Sequence, residues 1–516
     1  MDPTHHQRQS LPTGLGMLAP ELLRRIFECY CLHCHGRPDL PFWSIRGPTN
    51  MEPTEPSDSS TYWQGRNTLH SLCLVSRRFR YIAQDILFHE FIIPVDVKPD
   101  PPSLHRRLEP FLRTLATRPN LARRVHTVAL DEYVSDDLDV KYARESFEEA
   151  LHALGTNPAR FWEPRKHGRR VPVSSVSAWE ISRGFILGEL QPSDMTNVYA
   201  KRLVVVEILA LLLTLLPNLH HLILRDHLLP QQVFPKAIGA LGLTRIPLQT
   251  LDAMLIPLSI LAIAPDLKTI HVCPRTSYPK MRSVKGVYFQ GYGSDDSLCV
   301  QKILSSSSKS LSRFSYQTYF VGYSIDRSVN EVLQPRTAVN LLTKVRSTLR
   351  SLHLDMRFRV SFNEESRVKP IPSLKQFTAL EELFLTTNSV YNGTSTISDE
   401  ESLVHLLPQS IESVTFVDHE FPPQPDRLRR GFLGLAEAKG DDGQFPNLKL
   451  LRYDSKPICE DEKIRHAFSQ VGVDFKYQEF PTRHWSYSRD PLPPRSPLPA
   501  LEDDDSESDQ DLPGLV

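Results

Sequence analysis

The chain has 516 residues, 40% apolar and 23% charged, the make-up of a globular protein with two or three domains or one elongated array. Sixty basic residues oppose sixty-one acidic ones, and a net charge of −1 gives no global pull toward nucleic acid or anionic membrane, so neither is expected as a partner. The longest greasy run, residues 203–216, contains Glu207 and falls short of the about 20 apolar residues a bilayer span needs, so it reads as a buried core helix. No secretory signal is read in the opening residues, and the seven cysteines are expected as reduced thiols, in cytoplasm or nucleus.

Residues 1–14 read as a flexible N-terminus. Pro20, with Glu21 beside it, suits the first turn of a helix. Leu22 and Ile26, and on a neighbouring stripe Leu23, Phe27 and Tyr30, recur at helical steps. Residues 38–58 lack periodicity and read as a mobile loop within an insertion of about residues 36–66. Asn67 or Thr68 can cap a second short helix carrying Leu69, Leu72 and Cys73. Ser76 can cap a third, with Phe79, Ile82, Ala83 and Ile86 on one face. Three short helices are too small to bury all these side chains among themselves, and each one left in water forgoes about 1.5–3 kcal/mol. The module therefore reads as half of an interface.

The string L-A-P-E-L-L-R-R-I-F, followed by L-C-L-V-S-R-R-F-R-Y-I-A-Q-D-I-L-F, resembles the F-box, with residues 15–91 as the module. This sequence departs from the family pattern at Ala19, which stands between the leading Leu18 and Pro20, and in the long insertion. The resemblance implies that Leu18, Pro20, Leu22, Leu23, Ile26, Val75, Arg77 and Phe79 face a Skp-type adaptor, some of them being internal core instead.

Prolines in residues 94–102 stiffen a connector to a body over residues 103–480. There an L-x-x-L-x-L-like triplet recurs, at Val125/Val128/Leu130, Leu219/Leu222/Leu224, Leu267/Ile270/Val272, Val284/Val287/Phe289 and Leu311/Phe314/Tyr316. It returns at Leu349/Leu352/Leu354, Leu380/Leu383/Leu385, Ile411/Val414/Phe416 and Leu448/Leu451/Tyr453. At this apolar content about 33 such triplets arise by chance, so the spacing must carry the case. The later copies step by 31, 31 and 37 residues, several preceded by a helix-like run and a breaker. Helix, turn and short strand, repeated, is the grammar of a leucine-rich-repeat solenoid, here irregular, with an irregular α/β or all-helical array as the alternative. D-E-K-I-R-H-A-F and V-D-F-K-Y read as a closing helix and strand. The fold class expected is thus α+β or α/β: a three-helix F-box, an irregular repeat solenoid, and a Pro-rich, acidic tail over residues 489–516, expected to be disordered.

C-Y-C-L-H-C-H, with Cys29, Cys31, Cys34, His33 and His35, is the one metal-like cluster. A structural zinc site usually draws on two separated ligand pairs, and no second pair follows, so these read as incidental residues and neither metal nor cofactor is expected. The R-K-H-G-R-R run at residues 165–170 reads as a solvated loop, Ser506 and Ser508 as acid-flanked phosphorylation candidates, and Asn392-Gly393-Thr394 as a turn. No phosphate cradle, nucleophile elbow or zinc-protease motif occurs, and no enzyme is expected. The F-box resemblance implies a non-catalytic substrate receptor, joined through its adaptor to a cullin–RING ubiquitin ligase, with the body holding a target the sequence does not name. The alternatives are a scaffold without ubiquitin transfer and a cryptic enzyme on the body.

Overall fold

The structure, a computed structural model, describes residues 15–31, 33–34, 59–92, 108–130, 134, 138, 140–157, 161, 198–224, 234–253, 258–272, 281–291, 296–307, 310–318, 333–357, 370–391, 397–418, 425–440, 443–478 and 480. The 1–14 terminus, the 94–102 connector, the basic run, Asn392–Thr394 and the 489–516 tail lie outside them.

Helix α1 (Pro20–Glu28) starts on its proline, with Glu21 in the first turn. Helix α2 (Ser59–Val75) begins eight residues before Asn67, earlier than its sequence suggests. The Thr68 hydroxyl donates to the Gln64 carbonyl at 2.8 Å, the bond of a threonine inside a helix rather than of a cap. Residues 59–66, expected within the loop insertion, are therefore helical. Helix α3 (Arg77–Leu87) is capped as expected: the Ser76 hydroxyl accepts from the Phe79 amide at 3.1 Å. The stripes Leu23–Phe27 and Phe79–Ile82–Ala83–Ile86 meet Leu69 and Cys31 in a small core of their own.

Two residues after α3, strand β1 (Glu90–Ile92) enters the sheet of the body, which thus takes its first strand from ahead of residue 103. The chain continues through α4 (Leu108–Thr117), α5 (Pro119–Ala122), β2 (Thr127–Leu130), α6 (Val140–Ala153) and α7 (Val198–Leu215). Next come β3 (His221–Leu224), α8 (Phe234–Ala240), β4 (Thr250–Ala253), α9 (Leu258–Ile263), β5 (Thr269–Val272) and β6 (Gly286–Gly291). They are followed by α10 (Asp296–Ser307), β7 (Arg313–Thr318), α11 (Pro335–Leu342), β8 (Ser351–Asp355) and β9 (Glu382–Thr386). The last units are α12 (Asn388–Tyr391), α13 (Asp399–Leu406), β10 (Ser413–Val417), α14 (Pro425–Gly440), β11 (Leu450–Tyr453), α15 (Lys456–Cys459), α16 (Glu462–Gln470) and β12 (Asp474–Tyr477).

The fold is α/β. Among the described residues, twelve strands form one parallel sheet in chain order, β1 through β12, each paired with its sequence neighbours. The second and third positions of all nine triplets fall in strands, and the register stacks them: Val128 aligns with Leu222, then Leu251, Ile270 and Val287. Alternate positions point to opposite faces, so one column faces the helices and joins a continuous core from Phe91 to Val473. No strand can bury its column alone; the units shield one another. Helix α7 holds the greasy run, and Glu207 is buried in it. No helix among the described residues is long and apolar enough to cross a membrane.

Candidate docking face and a cysteine–histidine cluster

On α1, consecutive side chains turn by about 100°, so its two apolar stripes cannot share one direction. Leu23 and Phe27 point inward, Phe27 meeting the Phe79 ring edge-on at 5.5 Å between centroids. Leu22 and Ile26, one turn apart, stay on the surface with half and about a third of their area in water. Of the eight residues expected to face an adaptor, Leu23 and Phe79 are thus internal core. Pro20, Leu22, Ile26, Val75 and Arg77 are exposed, and Leu18 is half-buried against the module's core.

Sequence reasoning missed much of this face. The leading turn Leu15–Met17 is held by Arg78, whose guanidinium donates to the Gly16 carbonyl at 2.7 Å and to the Leu18 carbonyl. That places Leu15 and Met17 beside the corner where α2 ends and α3 begins. Leu74 and Val75 project from the same corner, each about two-thirds exposed; Tyr81 is exposed on α3, and Tyr30, after α1, is exposed beside Gly65 of α2. Eight of the eleven exposed large hydrophobics among the described residues belong to this module of some seventy positions: Leu15, Met17, Leu22, Ile26, Tyr30, Leu74, Val75 and Tyr81. The alternation of buried and exposed stripes was the available signal for Leu74, since Cys73 and Leu72 already occupied the inner side.

Beneath this face the module is bolted to the sheet. Asp85, buried on α3, bridges Arg24 of α1 at 2.7 Å and Arg124, just ahead of β2, at 2.5 Å. The His89 carbonyl accepts from the His126 and Thr127 amides at 2.9 and 3.1 Å, which fixes His89 at the start of the parallel pairing.

His89 completes the cysteine–histidine cluster, and the expectation that no further ligand joins it is corrected. Cys31, His33, Cys34 and His89 each offer a donor atom within 4.8 Å of the other three. Cys34 Sγ lies 3.3 Å and Cys31 Sγ 3.6 Å from His89 Nδ1, and Cys34 Sγ is 4.0 Å from His33 Nδ1. Cys29 is not part of the group: it is exposed, its thiol donating to the Arg25 carbonyl, and His35 lies outside the described residues. Around the group, buried Glu90 accepts from the His33 amide and lies 3.5 Å from Cys31 Sγ, while Arg66 donates to the Glu90 carbonyl at 3.0 Å. The His126 ring stacks on His33 at 4.3 Å.

Contact with Cys34, then burial, pushes the Cys31 thiol up, and the same contact holds Cys34 below its usual value against burial. Burial, followed by the neighbouring His33 and His126, brings His89 down to about 3. His126 is lowered too, by burial first and then His33. At neutral pH His89 therefore stands uncharged, with one ring nitrogen carrying a proton and the other a lone pair.

On the sheet face away from the main core, a polar row runs across β5 to β11. His271 stacks on Tyr288 at 4.3 Å, Ser315 meets His353 Nδ1 at 2.8 Å, and His353 packs on Phe384 at 4.0 Å. Ser315, His353 and Asp355 suggest a nucleophilic arrangement, but both Asp355 oxygens are taken by Arg357, which also donates to the Phe480 carbonyl at 2.5 Å. Phe480 in turn lies over Phe384 and Val417.

No family model matches the chain, and no curated protein matches it either.

Proposed function

We propose that the chain is a substrate receptor of an F-box-type ubiquitin ligase. Its N-terminal module docks on a Skp-type adaptor, and its parallel strand–helix array, read as a divergent leucine-rich-repeat solenoid, holds the target. One observation carries this reading: among the described residues, eight of the eleven large apolar side chains left in water lie on the three-helix module, although that module has a core of its own. Exposed grease concentrated on one small element marks a partner's seat. The receptor supplies no nucleophile; it raises the local concentration of target lysines near a charged conjugating enzyme carried by the cullin–RING assembly.

The two stripes of α1 give the test. Leu22→Ala with Ile26→Ala removes only half-buried side chains of the outer stripe, so folding should lose no more than about 2 kcal/mol and the variant should remain folded. Binding to a purified Skp-type adaptor should weaken by about 2 kcal/mol or more, some thirtyfold, in titration calorimetry. Unchanged affinity in that double variant and in Leu74→Ala with Val75→Ala would refute the docking face. If the adaptor binds but deleting the gene leaves the half-lives of co-purifying proteins unchanged, the chain is a scaffold without ubiquitin transfer.

A further inference from the structure

We propose that Cys31, His33, Cys34 and His89 bind a structural zinc ion that clamps the N-terminal module onto the first strand of the sheet. Zinc–sulfur bonds of about 2.3 Å and zinc–nitrogen bonds of about 2.0–2.1 Å at tetrahedral angles put sulfur and nitrogen about 3.6 Å apart. Three of the four sulfur–nitrogen pairs among these side chains lie 3.3, 3.6 and 4.0 Å apart, around that value, and all the donor atoms lie within 4.8 Å of one another. The donors, two thiols and two imidazoles, are those of a closed Cys2His2 site, and two thiolates balance the ion's charge. Cys31 and Cys34 have the two-residue spacing of a zinc knuckle, and both are free thiols.

The surroundings fit a held ion better than an incidental meeting of side chains. Ligand-bearing backbone is fixed on both sides: the His33 amide by Glu90, and the His89 carbonyl by the amides of His126 and Thr127. His126 stacks on His33 and lies edge-on to His89, covering the group from the sheet side as a neighbour and not a donor. The ligands come from the end of α1 and from the two-residue α3–β1 junction, 55 positions apart in the chain. An ion there closes that loop and fixes the angle at which the module leaves the sheet. The inference is independent of the ubiquitin-ligase reading.

The full chain, purified under reducing conditions without chelator, should carry about one zinc per molecule by plasma mass spectrometry. Replacing zinc by cobalt should give the intense visible bands of tetrahedral cobalt and a thiolate-to-cobalt charge-transfer band. Cys31→Ser with Cys34→Ser, and His89→Ala alone, should each lose the metal, whereas His126→Ala should keep it. Because the first two readouts use the unaltered chain, misfolding of a variant cannot mask the answer. A metal-free chain that takes up neither ion, or the weak spectrum of six-coordinate cobalt, would overturn the proposal.

Discussion

Arg357 and Asp355 are an ion pair with almost no contact with water, 3% and 0% of their side-chain areas being exposed. Burial alone would raise the Asp355 carboxyl, but the guanidinium holds it below the usual range, and burial's downward pull on Arg357 is likewise reversed by the carboxylate. Such a pair gains little over an apolar filling, yet removing one member strands the other. Arg357→Ala should therefore cost about 3–5 kcal/mol in a denaturant titration, while the double change with Asp355→Ala should cost clearly less. Equal losses would mean that the stranded charge is not the main penalty. At this scale the sequence was only partly readable. Periodicity located both stripes of α1 but could not say that Leu23 faces in and Leu22 out, because that depends on where α3 lies. The bracing role of Arg78 and the ligand position of His89 were invisible for the same reason: each acts on chain more than fifty residues away.

Helix packing shows what the elements require. Gly434 sits where α14 crosses α13, and a Cβ built there would lie 2.2 Å from the Glu400 carbonyl oxygen. Backbone cannot step aside as a side-chain tip can. Gly434→Ala should lose about 3 kcal/mol from forced separation of the helices, the upper end for overpacking because the obstacle is backbone, outweighing the about 1 kcal/mol that alanine gains in helix propensity. A thermal midpoint at or above the wild-type value would show that the two helices separate freely. The strands themselves were legible, since the triplet is the direct imprint of alternating side chains on a short buried strand. β4 escaped because its third position is Ala253, too small to register as part of the pattern, although Leu248 and Leu251 are in place. β1 escaped because it directly follows a helix whose pattern dominates the reading. α2 was cut short because residues 59–66 have no apolar stripe to announce them.

Across the whole molecule, charge buried near the C-terminal end of the sheet sets a pH response. Burial raises Asp454 to about 7 from an ordinary 3.8, with neighbouring Asp418 adding to it and the Asp418 amide, at 2.9 Å, working against it. Between those values the native chain holds a proton that the unfolded chain has released, so this carboxyl favours folding fully below 3.8 and ceases to do so as pH rises through about 7. Asp454→Asn keeps an oxygen acceptor for the Asp418 amide. The gap in denaturation midpoint between variant and wild type should therefore widen in the variant's favour from pH 4 to pH 8; a constant gap would contradict the burial effect. Irregular spacing of the units is inexpensive on this scale. The β2–β3 step, from Thr127 to His221, is three times the β8–β9 step from Ser351 to Glu382, yet closing the longer loop costs only about 1 kcal/mol more.

Because each described strand is bonded to the strands before and after it in the chain, tension applied at the two ends would pass through these pairs in series. The terminal strands, with a single partner each, would peel first, and the molecule would lengthen rung by rung instead of giving way at once.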